Sequence, residues 1–483
     1  MASSANLHPA EAPVIVWFRD DLRLCDNPAL TAAAQSGRKI RCVFVYDEES
    51  DGLRPLGAAA KWWLHGALEN LDKDLRQRGT RLSIYRGRAS ELIPRLATLC
   101  RAAIVYWNDR YGEAERRVDS AVQLLLEQRR IDALTFNGSL LYDPAAIKTK
   151  SGEPFRTFSA FWRAVYQAGD PAQPQAAPVA LQDFGDWGDN SPRAVELSEL
   201  CLEPRGPDWS GGLRSNWKPG ETGAQMQLKQ FLDNHFDTYA ECRDFPDRQT
   251  TSHLSPYLRF GNISPRQIWH AAESKNSESD VKSYRNLEKF QSELGWREFS
   301  YYLLYHNPTL AARNLQSKFD RMPWREDPIS LRAWQIGKTG YPLVDAGMRQ
   351  LWTTGWMHNR VRMVVASFLV KHLLIDWRQG EAWFWDTLVD ADQANNAASW
   401  QWVAGSGADA APYFRIFNPT LQGEKFDCGG HYAKAWLPEL SGLPPQDVHR
   451  PWQASSGVEG YPTRIVDHDF ARRRALDAFE ALG

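Results

Sequence analysis

The chain has 483 residues, and its 57 lysines and arginines nearly balance its 59 aspartates and glutamates. A single hydrophobic core stops growing at roughly 250–300 residues, so the length predicts two or three domains. The near-zero net charge excludes a uniformly basic nucleic-acid-binding coat but is compatible with a local basic groove.

The six cysteines are widely scattered, and none of them forms a C-x-x-C pair. This spacing indicates neither a zinc site nor an iron–sulfur cluster and favours free thiols in a reducing compartment. The N-terminus lacks the charged start and apolar run of a signal peptide, and no apolar stretch is long enough to span a membrane. We therefore expect a soluble cytoplasmic protein without a metal site or a membrane contact.

The first third of the chain alternates short β-branched or aromatic runs with amphipathic stretches. Strands are predicted over Val14–Phe18, Ile40–Tyr46, Leu82–Tyr85, Ile104–Trp107 and Ala133–Phe136, with helices over Ala58–Arg78 and Glu113–Arg129. This alternation predicts a Rossmann-like α/β domain, a parallel sheet that binds ligands beyond the carboxyl ends of its strands. No G-x-G-x-x-G follows the first strand, so an ordinary dinucleotide site is not expected there.

The rest of the chain divides into a connector and a helical part. From Ala168 to Gly220 the sequence is rich in Pro, Gly, Asp and Gln without sustained periodicity, which is typical of a surface connection. Helices are then predicted over Ala224–Asn234, Pro265–Glu273, Arg285–Tyr305, Leu343–Thr353, His358–Leu374 and Glu381–Leu388. The predicted organisation is an α/β domain over 13–143, a connector over 144–218 and an all-α domain over 219–483.

Four segments of the helical part concentrate polar and aromatic side chains. The first, Thr250–Ser255, precedes a predicted helix, where hydroxyls and backbone N–H groups suit a diphosphate or serve as an ordinary N-cap. In the second, Glu293, Trp296 and Arg297 share one helical face. They could hold a base and a phosphate, or form a surface ion pair over a packed indole.

The third segment begins at Gly355, and in it Asn359, Arg362 and Met363 share a face while Arg360 points elsewhere. One arginine toward a cofactor and another toward DNA would fit this pattern, and so would a basic solvated helix end. The fourth segment, Asp390–Phe417, sets carboxylates, asparagines, tryptophans and an arginine among small residues that permit close approach to the backbone. It suggests a surface that meets a flat, anionic partner.

Seven ordered motifs resemble the photolyase/cryptochrome family, specifically the bacterial cyclobutane pyrimidine dimer (CPD) DNA photolyases. They are WFRDDLRLCDNPAL, TTSHLSPYLRFG, ELGWREF, GWMHNRVRM, DWRQGE, NNAASWQW and YFRIFNP, distributed from residue 14 toward the end of the chain. The resemblance implies an α/β antenna-binding domain joined by a long connector to an all-α domain that holds a U-shaped FAD.

The resemblance also implies roles for individual residues. The FAD contacts would be Tyr239, Thr251, Ser252, Leu254, Ser255, Arg297, Asn359, Arg362, Asp390 and Asp392, with an Arg362–Asp390 salt bridge across the isoalloxazine and Asn396 beside flavin N5. The dimer pocket would contain Glu293, Trp296, Met363 and Trp402, and Arg360 and Arg415 would contact phosphates of the damaged strand. Trp400, Trp377 and Trp324 would carry an electron from the surface to the flavin.

The activity implied is light-dependent repair of UV-damaged DNA. A pyrimidine dimer would be flipped out of the duplex and split by an electron from excited reduced FAD. Glu293 would hydrogen-bond the thymine carbonyl, and Glu293, Asn396 and the three tryptophans are the catalytic residues expected. A monomer that requires no protein partner is the default expectation, and the protein would act on the bacterial nucleoid.

Other functions are weighed against particular residues. A cryptochrome, a blue-light receptor without repair activity, typically has aspartate where Asn396 stands, and a (6-4) photoproduct enzyme would have histidine at Met363. A redox flavoprotein or a non-catalytic DNA-binding module would not need the whole pocket. The Asn395–Ser399 segment lacks the two glycines usual in bacterial repair enzymes.

A second, light-harvesting chromophore is expected in the N-terminal domain. Glu115 aligns with a glutamate of folate-binding relatives, whereas Ala114 and Ala311 replace an asparagine and a lysine found in some of them. Methenyltetrahydrofolate is the chromophore expected, with 8-hydroxy-deazaflavin or an empty site as the alternatives.

Overall fold

The fold was analysed in a computed structural model that describes residues 9, 11–185, 187, 191–276, 281–409, 415–454 and 457–483. Tyr413 and Phe414 of the last motif, within the Asp390–Phe417 segment, lie outside the described residues. None of the described helices has the length and apolar character needed to cross a membrane.

The N-terminal half is built on a five-stranded parallel sheet with the order β3-β2-β1-β4-β5. The strands are β1 Val14–Phe18, β2 Ile40–Tyr46, β3 Leu82–Arg86, β4 Ile104–Asn108 and β5 Asp132–Phe136. The register pairs Val14 with Ile40 on one side and with Ile104 on the other. Because the chain reverses its direction of winding at β1, the predicted Rossmann-like sheet is confirmed, with its switch point between β1 and β4.

Helices connect the strands on both faces of this sheet. They are α1 Pro28–Gln35, α2 Ala58–Gln77, α3 Ala89–Leu99 and α4 Glu113–Gln128. Asn27 caps α1 by accepting a hydrogen bond from the Leu30 N–H, and proline occupies the first helical position. The predicted helices α2 and α4 are confirmed to within one residue at their C-terminal ends.

The predicted connector contains helices that the sequence analysis did not anticipate. These are α5 Phe158–Gln167 and the short α6 Gly211–Asn216. The apolar stripe of α5 is buried against the helical half, where Trp162 lies so close to Gly295 that a Cβ there would be 2.5 Å from the indole. The connector therefore contributes to the core, and only its Pro- and Gly-rich remainder follows the surface.

Among the described residues after 220, the regular elements are all helical, which confirms the predicted class. They are α7 Glu221–Asn234, α8 Tyr239–Cys242, α9 Ser255–Arg259, α10 Pro265–Lys275, α11 Val281–His306, α12 Pro328–Gln335, α13 Pro342–Thr354, α14 Asn359–Ser367, α15 Trp377–Thr387, α16 Gln393–Ala404, α17 Pro419–Phe426, α18 His431–Trp436 and α19 His468–Glu480. A π-helical turn, Phe368–His372, follows α14 and completes most of the helix predicted from His358 to Leu374.

The two halves share one hydrophobic core. The largest buried cluster runs from Val14 and Phe44 in the sheet to Phe299 in α11 and Ala397 in α16. Polar contacts cross the same boundary: the Trp63 indole N–H donates to Asn262 Oδ1 at 3.0 Å. This junction fixes the carboxyl edge of the sheet against the helices that carry the candidate site.

Candidate active site

A cavity of about 590 Å³ opens among helices α8, α9, α11, α14 and α16. This volume lies within the range of roughly 300–1,000 Å³ typical of small-molecule sites. The sequence-predicted residues that line it are Tyr239, Thr251, Ser252, Leu254, Ser255, Glu293, Trp296, Arg297, Asn359, Arg362, Met363, Asp390, Asp392, Asn396, Trp400 and Trp402. The residues predicted to contact a cofactor and those predicted to contact a substrate thus share one chamber.

A bidentate ion pair spans part of this chamber. Arg362 Nη1 and Nη2 donate to Asp390 Oδ1 and Oδ2 at 3.1 and 2.8 Å, and Arg362 Nε donates to the Met357 carbonyl at 2.7 Å. Ser255 Oγ also donates to Asp390 at 2.7 Å. The predicted Arg362–Asp390 salt bridge is therefore present, and the four hydrogen bonds fix both side chains before any ligand arrives.

The hydroxyl-rich loop Thr251–Ser255 borders the chamber at the start of α9. His253 has φ of +52°, and its ring lies 4.2 Å from the Trp356 ring between centroids. Burial lowers the pKa of His253 to about 4. The motif residues predict no role for this histidine, and in the structure its neutral ring packs against the indoles of Trp217 and Trp356.

The first turn of α16 presents its amides and carboxylate to the chamber. Asp392 caps the helix by accepting from the Asn395 N–H at 2.7 Å, and burial raises the pKa of Asp392. Asn396 Nδ2 donates to Glu381 at two atoms, the carbonyl at 3.0 Å and Oε1 at 2.8 Å. Glu381 in turn accepts hydrogen bonds from both Nη atoms of Arg54, a residue of the N-terminal half, at 2.7 and 2.9 Å.

Glu293 is held by two cations on the chamber wall. It accepts a hydrogen bond from Arg243 Nη1 and forms an ion pair with Lys289 Nζ at 3.1 Å. Arg243 was not identified from the sequence, since a lone arginine seven residues before the TTSHLS motif carries no pattern. The pairing keeps a carboxylate on an otherwise apolar wall without leaving its charge unpaired.

The indole of Trp296 is stacked on Phe158, the first residue of α5. The two rings lie 3.8 Å apart between centroids, with an interplanar angle of 9°. One face of Trp296 is thereby covered by the connector while the side chain still lines the chamber. Trp402 and Met363 complete a chamber wall that is mostly apolar.

The three predicted electron-transfer tryptophans differ in burial. Trp400 and Trp377 are buried, at 2% and 0% exposed, and Trp324 is half-buried. Trp377 begins α15, its Nε1 donates to Asn314 Oδ1 at 2.9 Å, and one turn later a Cβ on Gly380 would lie 2.2 Å from Trp400. Helix α15 therefore lies directly against the chamber-lining indole of Trp400.

The two predicted phosphate-contacting arginines lie outside the chamber lining. Arg360 points away from Arg362 and Met363, as the helical spacing predicted, and donates to Asp244 at 2.8 Å with its guanidinium 4.4 Å from the Phe426 ring centroid. Arg415 is exposed, and its carbonyl accepts from the buried Lys371 ammonium.

A second, smaller cavity of about 150 Å³ lies where β1, β2 and β4 end. It is the crevice at the switch point of the sheet, the place where open α/β sheets bind ligands. Glu115 lines it, accepting from Gln393 Nε2 at 2.8 Å through Oε1, while its buried Oε2 has no hydrogen-bond partner among the described residues. Arg259, Arg297 and Asp392 line both cavities, so a thin polar wall separates them.

Glu298 is a buried carboxylate that the sequence analysis missed inside the ELGWREF motif. It is 3% exposed and accepts the N–H groups of Leu141 and Tyr142 at 2.9 and 3.4 Å. Burial outweighs these donors and the neighbouring Arg297, and raises the pKa of Glu298 to about 7. It fastens the loop after β5 to α11 behind the chamber.

Comparison with known families matches both halves of the chain. A family model described as DNA photolyase matches residues 14–179, and one described as the FAD binding domain of DNA photolyase matches residues 290–481. Together they account for most of the chain.

Individual relatives extend over the whole length. A deoxyribodipyrimidine photo-lyase of Agrobacterium fabrum is 48% identical over 480 residues, 98% of either chain. Cryptochrome-1 of Arabidopsis thaliana is 36% identical over 486 residues, 97% of this chain and 70% of the plant protein.

Solved structures give the same answer. The crystal structure of a bacterial class III photolyase from Agrobacterium tumefaciens superposes with a TM-score of 0.92 and 46% identity over 99% of both chains. An archaeal photolyase from Sulfolobus tokodaii, described with two FAD molecules, gives 0.82 and 29% identity over 97% of this chain and 100% of the other. Sequence motifs, chamber and relatives agree: the chain belongs to the DNA photolyase family.

Proposed function

We propose that this protein is an FAD-dependent deoxyribodipyrimidine photolyase that repairs cyclobutane pyrimidine dimers in UV-damaged DNA. The observation that supports the proposal is the shared chamber: Arg362, Asp390 and Asn396, which would face the flavin, line it together with Glu293 and Trp402, which would face the dimer. Electron transfer between a cofactor and a DNA lesion requires this proximity.

The residues of the chamber fit FAD. Hydroxyls and backbone N–H groups of the Thr251–Ser255 loop suit a diphosphate, and the Arg362–Asp390 pair offers charges to the polar edge of a flat ring. Asn396 would face flavin N5 with an uncharged amide, which tolerates a change in protonation there. When bound, FAD would supply the light-driven redox chemistry.

The apolar wall of the chamber would hold the flipped-out dimer. Trp296, Met363 and Trp402 offer flat or adaptable apolar surface, and the stacking of Trp296 on Phe158 fixes its orientation before binding. A dimer stacks poorly in the duplex, which lowers the cost of flipping it out. Arg360 and Arg415 would contact the phosphates on either side of the lesion.

Glu293 would hydrogen-bond the thymine carbonyl at this wall. Its pairing with Arg243 and Lys289 orients the carboxyl group and keeps a positive charge close to the place where negative charge develops on the dimer. Trp324, Trp377 and Trp400 would bring an electron from the surface when the cofactor has become oxidised.

The smaller cavity is the proposed antenna site. The unpartnered Glu115 Oε2 is a ready acceptor for the N–H edge of a pterin, which favours methenyltetrahydrofolate over a deazaflavin. Its volume of about 150 Å³ accommodates part of such a chromophore, so the remainder would extend outward or widen the crevice.

The domain organisation proposed is an antenna half over 13–143, a connector over 144–218 and a cofactor- and DNA-binding half over 219–483. The five strands fall in the first range, and α7 begins close to the last boundary. We propose that the protein acts as a monomer on damaged DNA in the bacterial cytoplasm, at the nucleoid.

The proposal is tested by illuminating the purified, chemically reduced protein with blue light in the presence of an oligonucleotide that contains one thymine dimer. Loss of the dimer in light, and not in a dark control, supports the proposal. A protein that binds FAD and is photoreduced but leaves the dimer intact would instead be a light sensor, and one without bound FAD would contradict the cofactor assignment.

A further inference from the structure

We propose that Arg54, in the N-terminal half, is a positioning residue for the Asn396 amide and acts through Glu381. The inference rests on the proposed function in one respect, namely that Asn396 faces the flavin. It extends the flavin site beyond the helical half of the chain and beyond the residues of the motifs.

First, Arg54 of the N-terminal half contacts Glu381 of the helical half. The Arg54 guanidinium donates in a fork to Glu381, Nη1 to Oε1 at 2.7 Å and Nη2 to Oε2 at 2.9 Å. Glu381 is only 5% exposed in its side chain, whereas Arg54 is 30% exposed. Of the residues that the structure describes, Arg54 is the one cation within ion-pair distance of Glu381, so it alone compensates this buried carboxylate.

The second step is the contact from Glu381 to the chamber. Asn396 Nδ2 donates to the Glu381 carbonyl at 3.0 Å and to Oε1, one of the two oxygens held by Arg54, at 2.8 Å. With both amide protons directed at Glu381, the oxygen is the part of the amide left for the chamber that Asn396 lines. The orientation of the amide therefore depends on Glu381.

The third step is the anchoring of Arg54 itself. Its guanidinium lies 4.1 Å from the Trp385 ring centroid, and the Trp385 indole N–H donates to the carbonyl of the next residue, Pro55, at 2.9 Å. At Gly57 a Cβ would lie 2.0 Å from the Trp385 carbonyl oxygen, so the two backbones touch. This close approach leaves Arg54 little freedom to move away from α15.

These contacts predict what removal of the guanidinium does. Without Arg54 the Glu381 carboxylate would be buried and uncompensated, and it would take up a proton or turn toward water. In either case Asn396 loses a charged acceptor and can rotate, which would present its N–H₂ group to flavin N5. Arg54 also lines the smaller cavity, so its placement connects the proposed antenna site with the flavin site.

The test measures how fast photoreduced FAD in Arg54→Gln is reoxidised by air. We expect the rate of reoxidation to differ about tenfold from that of the native protein. This is the usual effect of losing one hydrogen bond to a charged group. FAD content is expected to be retained. Arg54→Lys, which keeps the charge but not the fork, should restore part of the native rate.

Asp386→Ala is the matched control. Asp386 makes another contact between the halves, accepting the Ala58 N–H at 2.9 Å, but does not touch Glu381. It should leave the reoxidation rate unchanged. In an Asn396→Ala background, Arg54→Gln should have no further effect, because the amide through which it acts is absent.

A native reoxidation rate in Arg54→Gln, an equal effect of Asp386→Ala, or an effect that persists in Asn396→Ala would overturn the inference. If Arg54→Gln does not fold, Arg54→Lys is the deciding variant. An altered rate of flavin reoxidation in Arg54→Lys supports the positioning role of Arg54, and a native rate refutes it. The reoxidation rate is measured without DNA repair. Its dependence on Arg54 can therefore be tested even in a protein that does not repair dimers.

Discussion

At the scale of single residues, Glu293 is the clearest candidate for a group that contacts the substrate. Glu293→Gln should lower light-dependent dimer repair about tenfold, because a charged hydrogen-bond partner is replaced by a neutral one. The amide is nearly the same size, so FAD content should stay native. Repair per bound FAD under blue light, at saturating oligonucleotide, is the measurement.

Lys289→Gln is the matched control for Glu293. It removes the more exposed of the two cations that pair with Glu293 and leaves Arg243 in place. We expect a smaller loss of repair than in Glu293→Gln. Loss of FAD from Glu293→Gln would contradict the assignment and give Glu293 a structural role.

Trp377 is testable by separating photoreduction from repair. Trp377→Phe should block the photoreduction of oxidised FAD, since a phenyl ring is much harder to oxidise than an indole. Repair by chemically reduced enzyme should remain native. The substitution also removes the hydrogen bond to Asn314, so the variant Asn314→Ala serves as the control for local packing. Equal loss of both activities in Trp377→Phe would be incompatible with an electron-transfer role.

At the scale of elements, the contact between α15 and α16 depends on one glycine. Gly380→Ala would place a Cβ 2.2 Å from Trp400 and 2.6 Å from Leu369. We expect a destabilisation of roughly 1–3 kcal/mol, as for other overpacked cores, and a lower yield of bound FAD because Trp400 must shift.

The measurement is the thermal midpoint together with the ratio of flavin to protein absorbance. Gly442→Ala, at a position with nothing within 4 Å of the added Cβ, is the control and should behave as the native protein. A native midpoint in Gly380→Ala would show that α15 can move away from α16 at little cost.

Elements with a clear period were predictable, and elements fixed by distant contacts were not. All five strands were located to within one residue, because each is a short β-branched or aromatic run, and four of them are largely buried. Helix α5 was missed because only ten residues lie between Thr157 and Ala168, inside a segment without other periodicity. Helix α5 covers one face of Trp296, and this residue belongs to α11, which is more than a hundred residues away in the sequence.

The residues of the site divide in the same way, into those with a local sequence pattern, which were predictable, and those fixed by distant contacts, which were not. Residues inside motifs were placed in the chamber, including Asn359, Arg362 and Met363 on one face and Arg360 off it. Arg54 and Arg243 were not found, because each acts on a partner from a remote segment. Glu298 was missed although it lies inside a motif, because the N–H groups that it accepts come from Leu141 and Tyr142, far away in the sequence. An isolated charge in the sequence does not reveal whether it will be buried.

At the scale of the whole molecule, Glu298 makes stability depend on pH. Its pKa in the folded protein, about 7, lies above the ordinary value of 4.5. The stability it contributes is therefore fully present below about pH 4.5 and is lost as the pH rises through about 7. At about 1.4 kcal/mol per pKa unit, the native protein should lose up to about 3 kcal/mol over this interval relative to Glu298→Gln.

The check is the difference in thermal midpoint between the native protein and Glu298→Gln, measured at about pH 5 and about pH 8. The thermal midpoint of the variant should increase relative to that of the native protein as the pH rises. Glu480→Gln, which alters an exposed carboxylate of α19, should show no such trend. A difference that is independent of pH would mean that Glu298 does not titrate in this range.

The shared core has a consequence for exchanging parts between relatives. A hybrid that takes its antenna half from another protein must supply partners for the charges that the helical half buries at the junction. Without counterparts of Arg54 and Asp20, Glu381 and Arg259 would each be left unpaired. Breaking a fully buried pair costs about 3–5 kcal/mol; because the Arg54 and Asp20 side chains are 30% and 42% exposed, each of these losses would be smaller but would still count against the roughly 5–15 kcal/mol that holds a typical domain folded. We therefore expect the two halves to be inherited as a unit, and a change of ligand in the smaller cavity to be easier by substitution within it than by exchange of a whole half.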